Sequence, residues 1–305
     1  MNKESKKESI WRNNAVQTII ASLLCIVLGL LVGYLVLLVI NPKGAAGAIA
    51  AILKNYFYYP SSIAVMKYCG TTMVKASALL MCSLSVLFAY KVGLFNIGAA
   101  GQYVVGAGAS LYFALKFGMP WYVCLLAAMV CGAIWGAVPG IFKAYFNVNE
   151  VITSIMFNWI GLYLVNELMY STVSGMYDQK TTRTYKLSSA APQSLIPDCG
   201  MSAVFKTSST TIAIFIAMAI AIIMYVVLNK TTFGYELKAC GFNKDAAKYA
   251  GINEKRNIVL SMTISGALAG IGAGLYYLSG ASEWNPQVST ALPAIGFNGI
   301  PVALL

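Results

Sequence analysis

The sequence predicts an all-α fold, a polytopic transmembrane helical bundle, and three observations predict it. Of 305 residues, 59% are hydrophobic and 10% charged, whereas soluble globular domains carry roughly 25% charged residues. Apolar stretches of about 20 residues, the length that crosses a bilayer core, recur along almost the whole chain. Glycines recur four apart inside these stretches, which puts them on one helix face and lets a second backbone approach closely.

The elements follow in order. The start, MNKESKKESIWRNN, is basic and polar, and residues 1–16 read as a cytoplasmic tail. The apolar run over 17–40 is too long for a signal-peptide core and lacks a small-residue cleavage site, so it reads as a retained first helix. Hydropathy places further spans at 71–92, 97–117, 120–145, 150–170, 209–229 and 257–280, and another apolar stretch begins near 290. Residues 17–305 thus read as one transmembrane domain. Small-residue stripes fall at Gly29 and Gly33, at Gly132, Gly136 and Gly140, and at Gly266, Gly270 and Gly274, and Pro139 predicts a kink in the fourth span. With the N-terminus inside, the inner segments hold twelve Lys and Arg residues and the outer ones eight, while Lys75 falls within a span. That bias predicts a cytoplasmic N-terminus, and the inner loop 230–256 contributes most to it. The chain ends GFNGIPVALL, partway through an apolar run, which predicts that the natural protein continues beyond it.

Composition also excludes chemistries. No histidine is present, which removes His-based zinc sites, Ser-His-Asp triads and Cys-His pairs. The seven cysteines are an odd number and lie mostly in apolar runs, where they read as packing residues and not as a disulfide framework. The sequence has no Gly-Lys dipeptide, so it holds no Walker-type phosphate loop and any ATP hydrolysis belongs to another subunit. The net charge of +11 is carried between apolar spans, where it sets membrane orientation and does not point to nucleic acid.

Three polar segments interrupt this pattern. GLFNIGAAGQ, residues 93–102, sets Gly93, Gly98 and Gly101 beside Asn96 and Gln102 in an apolar region, which predicts a broken or re-entrant helix surrounded by protein or a water-filled cavity. In NVNEVITSIMFNWI, residues 147–160, Asn147 and Glu150 are spaced as in a capping box, while Asn158 stands about two turns inside the helix and requires a pore-facing or interhelical role. The inner loop 231–257 holds Ala246 and Ala247 between Asn243 and Gly251, which predicts a short helix started by Asn243 and stopped by glycine. Such a helix can project toward a partner; a basic strip touching anionic lipid is the alternative.

Together the three segments resemble the permease subunits of bacterial ABC importers, in the branch that takes up nucleosides and simple sugars. GLFNIGAAGQ is similar to that branch's GLFNIG-x-x-GQ signature, NEVITSIMFNWI to its NEVI-x-T-x-M-x-N segment, ACGFNKDAAKYAGI to its cytoplasmic coupling loop, and GFNGIPVALL to the start of its following span. Ala100 stands where many relatives carry glutamate, and Pro301 where alanine is usual. The resemblance implies a nucleoside permease of the bacterial plasma membrane forming half of a translocation pore, with a sugar permease as the alternative. The rival from another class is an ion-coupled secondary transporter, for which a broken helix is equally natural but intramembrane carboxylates are few, Glu150 and Glu167 standing near span ends. It implies cytosolic ATPase subunits, a second permease subunit, identical or homologous, an extracellular substrate-binding lipoprotein and membrane lipid as partners, and no cofactor. It assigns Phe95, Asn96, Gln102, Glu150 and Asn158 to the substrate pathway, and Gly241, Ala246, Ala247, Tyr249, Gly251 and Ile252 to ATPase coupling.

Overall fold

The structure, a computed structural model, describes residues 14–54, 59, 61–170, 175–285 and 291–305; most of the expected N-terminal tail lies outside the described residues. The chain falls into two compact units, Met1–Val65 with Leu305, and Met66–Leu304.

The first unit holds α1 (Asn14–Ile40) and α2 (Pro42–Leu53). Between them Asn41 caps α2 by accepting the Gly44 N–H at 3.1 Å, and Pro42 occupies the first helical position, where its missing N–H costs nothing. The sequence reading placed no helix here. Alanine propensity forms α2, but its 12 residues give a length of about 18 Å, too short to cross a bilayer. Side chains added at Gly29 or Gly33 would meet nothing within 4 Å, so among the described residues no backbone packs closely on that pair.

The second unit takes α3 (Ser62–Tyr90) from Met66 on and the chain as far as Leu304, beginning with α4 (Ala99–Phe117), α5 (Trp121–Phe146) and α6 (Glu150–Tyr170). A small hairpin of β1 (Tyr177–Asp178) and β2 (Arg183–Thr184) follows, with α7 (Leu187–Ala190) and α8 (Met201–Phe205). Then come α9 (Ala213–Lys230), α10 (Thr232–Phe242), α11 (Lys244–Tyr249), α12 (Glu254–Tyr277) and α13 (Ala294–Leu304). Among the described residues, six helices are long and apolar enough to cross a membrane: α1, α3, α5, α6, α9 and α12. The chain is a polytopic helical membrane protein with the expected broken segment.

α4 is not one of the six. It is nonetheless the centre of the second unit, with every residue from Ala99 to Gly108 buried and α5, α6, α12 and α13 packed around it. Because it meets protein and not lipid, it tolerates glycine, glutamine and serine. The tightest seam joins α5 to α12. A Cβ placed on Gly132 would run into the carbonyl oxygen of Gly266, one on Gly136 into that of Met262, and one on Gly270 into that of Ala128. The two glycine stripes therefore pack against each other, and backbone contact there replaces the side-chain interlock of a soluble core.

One expectation about helix ends is corrected. Asn147 does not start α6; it ends α5 in the left-handed conformation (φ 53°), and the next N–H, of Val148, returns to the Phe142 carbonyl at 3.2 Å. Asparagine is among the few residues that take this position at low cost. Asn149 caps α6 instead, its side chain accepting the Val151 N–H at 2.9 Å.

The second unit has two distinct ends. At one, Lys91 and Gly93 lie under Gly241, and Lys255 sits 5.3 Å over the Tyr145 ring. At the other, Gln193 donates to the Gly118 carbonyl at 3.1 Å, Trp284 Nε1 to Asn166 Oδ1 at 2.9 Å, and Arg183 pairs with Glu283 at 3.4 Å. The 91–98, 143–150 and 231–256 segments thus share one end, as the alternation of spans requires.

Candidate functional site

Helix α3 stops at Tyr90 and α4 begins at Ala99; the N–H groups of residues 91–94 still bond back to the last turn of α3, and residues 94–98 then lead into the interior outside any helix. The turn depends on Gly93 at φ +75°, a conformation that L side chains rarely adopt. Leaving a helix inside a bundle strands backbone polar groups, and three amide side chains gather at this place.

Asn96 donates through Nδ2 to Ser85 Oγ on α3 at 3.1 Å and to Gln102 Oε1 at 2.9 Å, while Gln102 Nε2 returns a bond to Asn96 Oδ1 at 3.2 Å. Asn158, on α6, accepts the Gly101 N–H at 2.8 Å and donates to the Ile97 carbonyl at 3.1 Å. The first N–H groups of a helix have no partner within it, and the residue at the cap of α4 is Gly98, which has no side chain to offer. Asn158 therefore caps α4 from 57 residues away. Gly98 and Gly101 make room for this: a Cβ on Gly98 would stand 3.1 Å from Asn96 Oδ1, and one on Gly101 2.6 Å from Asn158 Oδ1.

Asn96, Gln102 and Asn158 are only 0%, 1% and 2% exposed, so in this conformation their amides face one another and the backbone. Phe95 is half-buried beside them. Glu150 lies apart, at the start of α6, paired with Lys143 of α5 at 2.9 Å; a carboxylate there also complements the helix dipole. The sequence reading did not find Ser85 or Ser154, whose side chains complete the cluster's surroundings; small hydroxyl residues among apolar neighbours gave no signal beyond packing. Ala100 is fully buried against Gly296 of α13, which leaves little space for a longer side chain such as glutamate.

The 231–257 segment forms two helices rather than one. Thr231 caps α10 through the Gly234 N–H at 3.2 Å, and Asn243 caps α11 through the Ala246 N–H at 3.0 Å. Gly251 at φ +81° ends the second, and the Ile252 N–H turns back to the Ala247 carbonyl at 3.0 Å. The six residues singled out here divide by direction. Ala247 is buried and Ile252 half-buried, holding the element to the bundle, whereas Ala246 is exposed and Tyr249 is 95% exposed. Phe242, which the sequence reading passed over, is the last residue of α10 and 92% exposed. Gly241 connects this segment to the break, since a Cβ there would run into the carbonyl oxygen of Lys91 and lie 3.3 Å from the Gly93 nitrogen.

Comparison with known proteins agrees with this architecture. Residues 68–305 match the family described as branched-chain amino acid transport system / permease component. The chain is 35% identical to the guanosine ABC transporter permease protein NupP of Bacillus subtilis over 94% of its own length and 79% of that protein's. It is 35% identical to the nucleoside ABC transporter permease protein NupB of Lactococcus lactis over 96% and 79%. The glucose ABC transporter permease protein TsgB13 of Haloferax volcanii is 31% identical over 76% of the chain and 62% of that protein. No solved structure matches. A buried break held by amides, a bundle of apolar spans and a family match over residues 68–305 lead to one assignment: the chain belongs to the family of permease components of the branched-chain amino acid transport system type.

Proposed function

We propose that this chain is the membrane-spanning subunit of an ATP-driven importer of nucleosides, with its N-terminus in the cytoplasm. The observation that carries the reading is the 35% identity to permeases named for guanosine and for nucleosides over 94% and 96% of the chain. The glucose permease matches less of it. Bacillus subtilis and Lactococcus lactis each also have a second permease similar to this chain, NupQ and NupC, at 28% and 26% identity. That pairing favours a second, homologous permease over an identical copy as the partner that completes the pore. Cytosolic ATPases and an external substrate-binding lipoprotein complete the assembly.

In this reading Phe242 and Tyr249 are the surface that α10 and α11 present to an ATPase, because exposed aromatics at the tip of a rigid element are the usual anchors of an interface. Asn96, Gln102 and Asn158 lie beside the proposed pathway and fix the position of the break, their amides bonded to one another, to Ser85 and to the backbone; amides that donate and accept together also suit the hydroxyls and base edges of a nucleoside once the cluster opens toward the pathway. The carboxylates Glu150 and Glu167 favour ATP over an ion gradient as the energy source. Glu150 is held by Lys143, and Glu167 is exposed in the last turn of α6.

The test is uptake of labelled guanosine into vesicles holding the full complex, with and without internal ATP and with an uncoupler added to each. Uptake that needs ATP and survives the uncoupler is expected. Accumulation without ATP that the uncoupler stops overturns the energy assignment, and competition by free ribose but not by other nucleosides overturns the cargo.

A further inference from the structure

A cavity of about 420 Å³ lies between α3 and α9, toward the end of the bundle that carries α10 and α11. Its walls are apolar: Leu84, Leu87 and Phe88 from α3 face Met224 and Leu228 from α9. Its lining also includes two cations, Lys91 just past the end of α3 and Lys238 of α10. A second cavity of about 400 Å³ shares both lysines and runs on to Gly93 and Gly241.

Among the described residues no carboxylate neutralises these two lysines. Lys238 donates to Asn229 Oδ1 at 2.7 Å, a neutral amide. Among the described residues the ion pairs are Lys143 with Glu150 and Arg183 with Glu283, so neither Lys91 nor Lys238 has a carboxylate partner. Glu236, the carboxylate on α10, takes a bond from Asn257 Nδ2 on α12 at 3.2 Å. Two like charges beside an apolar slot repel each other and attract an anion. A nucleoside is neutral and rich in hydroxyls, which leaves this slot without use for the proposed cargo.

We propose that the slot holds one anionic phospholipid of the inner leaflet, with an acyl chain between α3 and α9 and its phosphate between Lys91 and Lys238. The assignment rests on the orientation given under the proposed function, which puts this end in the cytoplasmic leaflet, where anionic headgroups bind basic pockets between spans. Such a lipid spans the contact of Gly93 with Gly241. It therefore ties α10 to the end of α3 at the place where the break meets the 231–256 segment.

The experiment uses the full complex in nanodiscs of phosphatidylcholine with a minor fraction of phosphatidylglycerol, followed by release and native mass spectrometry of retained lipid. Wild type is expected to retain phosphatidylglycerol selectively. Lys91→Gln with Lys238→Gln should weaken that retention by about 20- to 30-fold, at roughly fivefold per lysine, while Lys91→Arg with Lys238→Arg keeps it. Ala221→Trp, which fills the slot and leaves both charges, should also release the lipid. Equal retention by wild type and the glutamine variant overturns the headgroup site, and retention by Ala221→Trp overturns the acyl slot. Lipid retention is read without substrate or ATP, so it can fail while ATP-driven nucleoside uptake stands, and the reverse.

Discussion

Asn158→Leu removes one side chain of similar volume and breaks the cap of α4. The Gly101 N–H loses its acceptor and the Ile97 carbonyl its donor; Gly101 stays buried and Ile97 half-buried, and leucine offers neither a partner. Leaving a buried polar group unpaired costs about 1–3 kcal/mol each in soluble proteins, about 2–6 kcal/mol for the pair. Within a membrane the unfolded reference also finds partners, and interhelical bonds there measure about 0.6–1.7 kcal/mol each. The expected loss is therefore about 1–3 kcal/mol. The assay is the thermal stability of the detergent-solubilised complex by fluorescence-detected gel filtration, with guanosine uptake measured in parallel. Asn158→Asp should fall between wild type and leucine, because it keeps an acceptor for Gly101 and sets a negative charge at the start of α4, where the helix dipole favours it. A leucine variant as stable as wild type refutes the capping account. If that stable variant also lost uptake, Asn158 would be a cargo ligand and not an anchor.

Two further outcomes follow from contacts elsewhere. Gly270→Leu should abolish membrane accumulation of folded protein, because the new side chain meets the Ala128 backbone, whereas Gly33→Leu, with nothing within 4 Å, should accumulate normally; equal accumulation of the two would remove the α5–α12 seam as a source of stability. Phe242→Asp with Tyr249→Asp should reduce ATPase co-purification by more than about 30-fold, as loss of an interface anchor worth about 2 kcal/mol or more requires, without lowering the amount of permease in the membrane. Unchanged co-purification would move the docking surface away from α10 and α11.

Much of the fold could be read from composition alone, because membrane spans state their length and apolarity directly. The exceptions have physical reasons. α2 was missed because PKGAAGAIAAIL is too short to span and carries no charge pattern, so only alanine propensity marked it. Asn147 and Glu150 have capping-box spacing, but a spacing does not say whether the asparagine ends one helix or begins the next, and here the turn between α5 and α6 is too short for both. The glycine stripes were visible, yet their pairing was not, since Gly132 and Gly266 meet only through the packing of α5 on α12. Asn158 showed the same limit. Its burial inside an apolar helix demanded a partner, and the sequence left open whether that partner was the pore or another helix. Phe242 gave no signal, because a phenylalanine beside a glycine reads as core until the backbone turns it outward.

These residues act together because of what each end of the break touches. At its inner end the chain passes Gly93, whose neighbour is the backbone of Gly241, with no side chain between them. Contact of that kind is short-ranged and has no slack: a shift of α10 by an ångström either displaces Lys91 and Gly93 or opens the joint. At its other end the break is fixed by five hydrogen bonds to Ser85, Gln102 and Asn158, groups that resist separation because no water waits to replace their partners. A displacement entering at Gly241 therefore cannot be absorbed by loosening the cluster. Under the proposed function, such a displacement is expected to carry α4 and the Asn158 side of α6 with it, through residues 91–102 as the link between the surface proposed for the ATPase and the interior of the bundle.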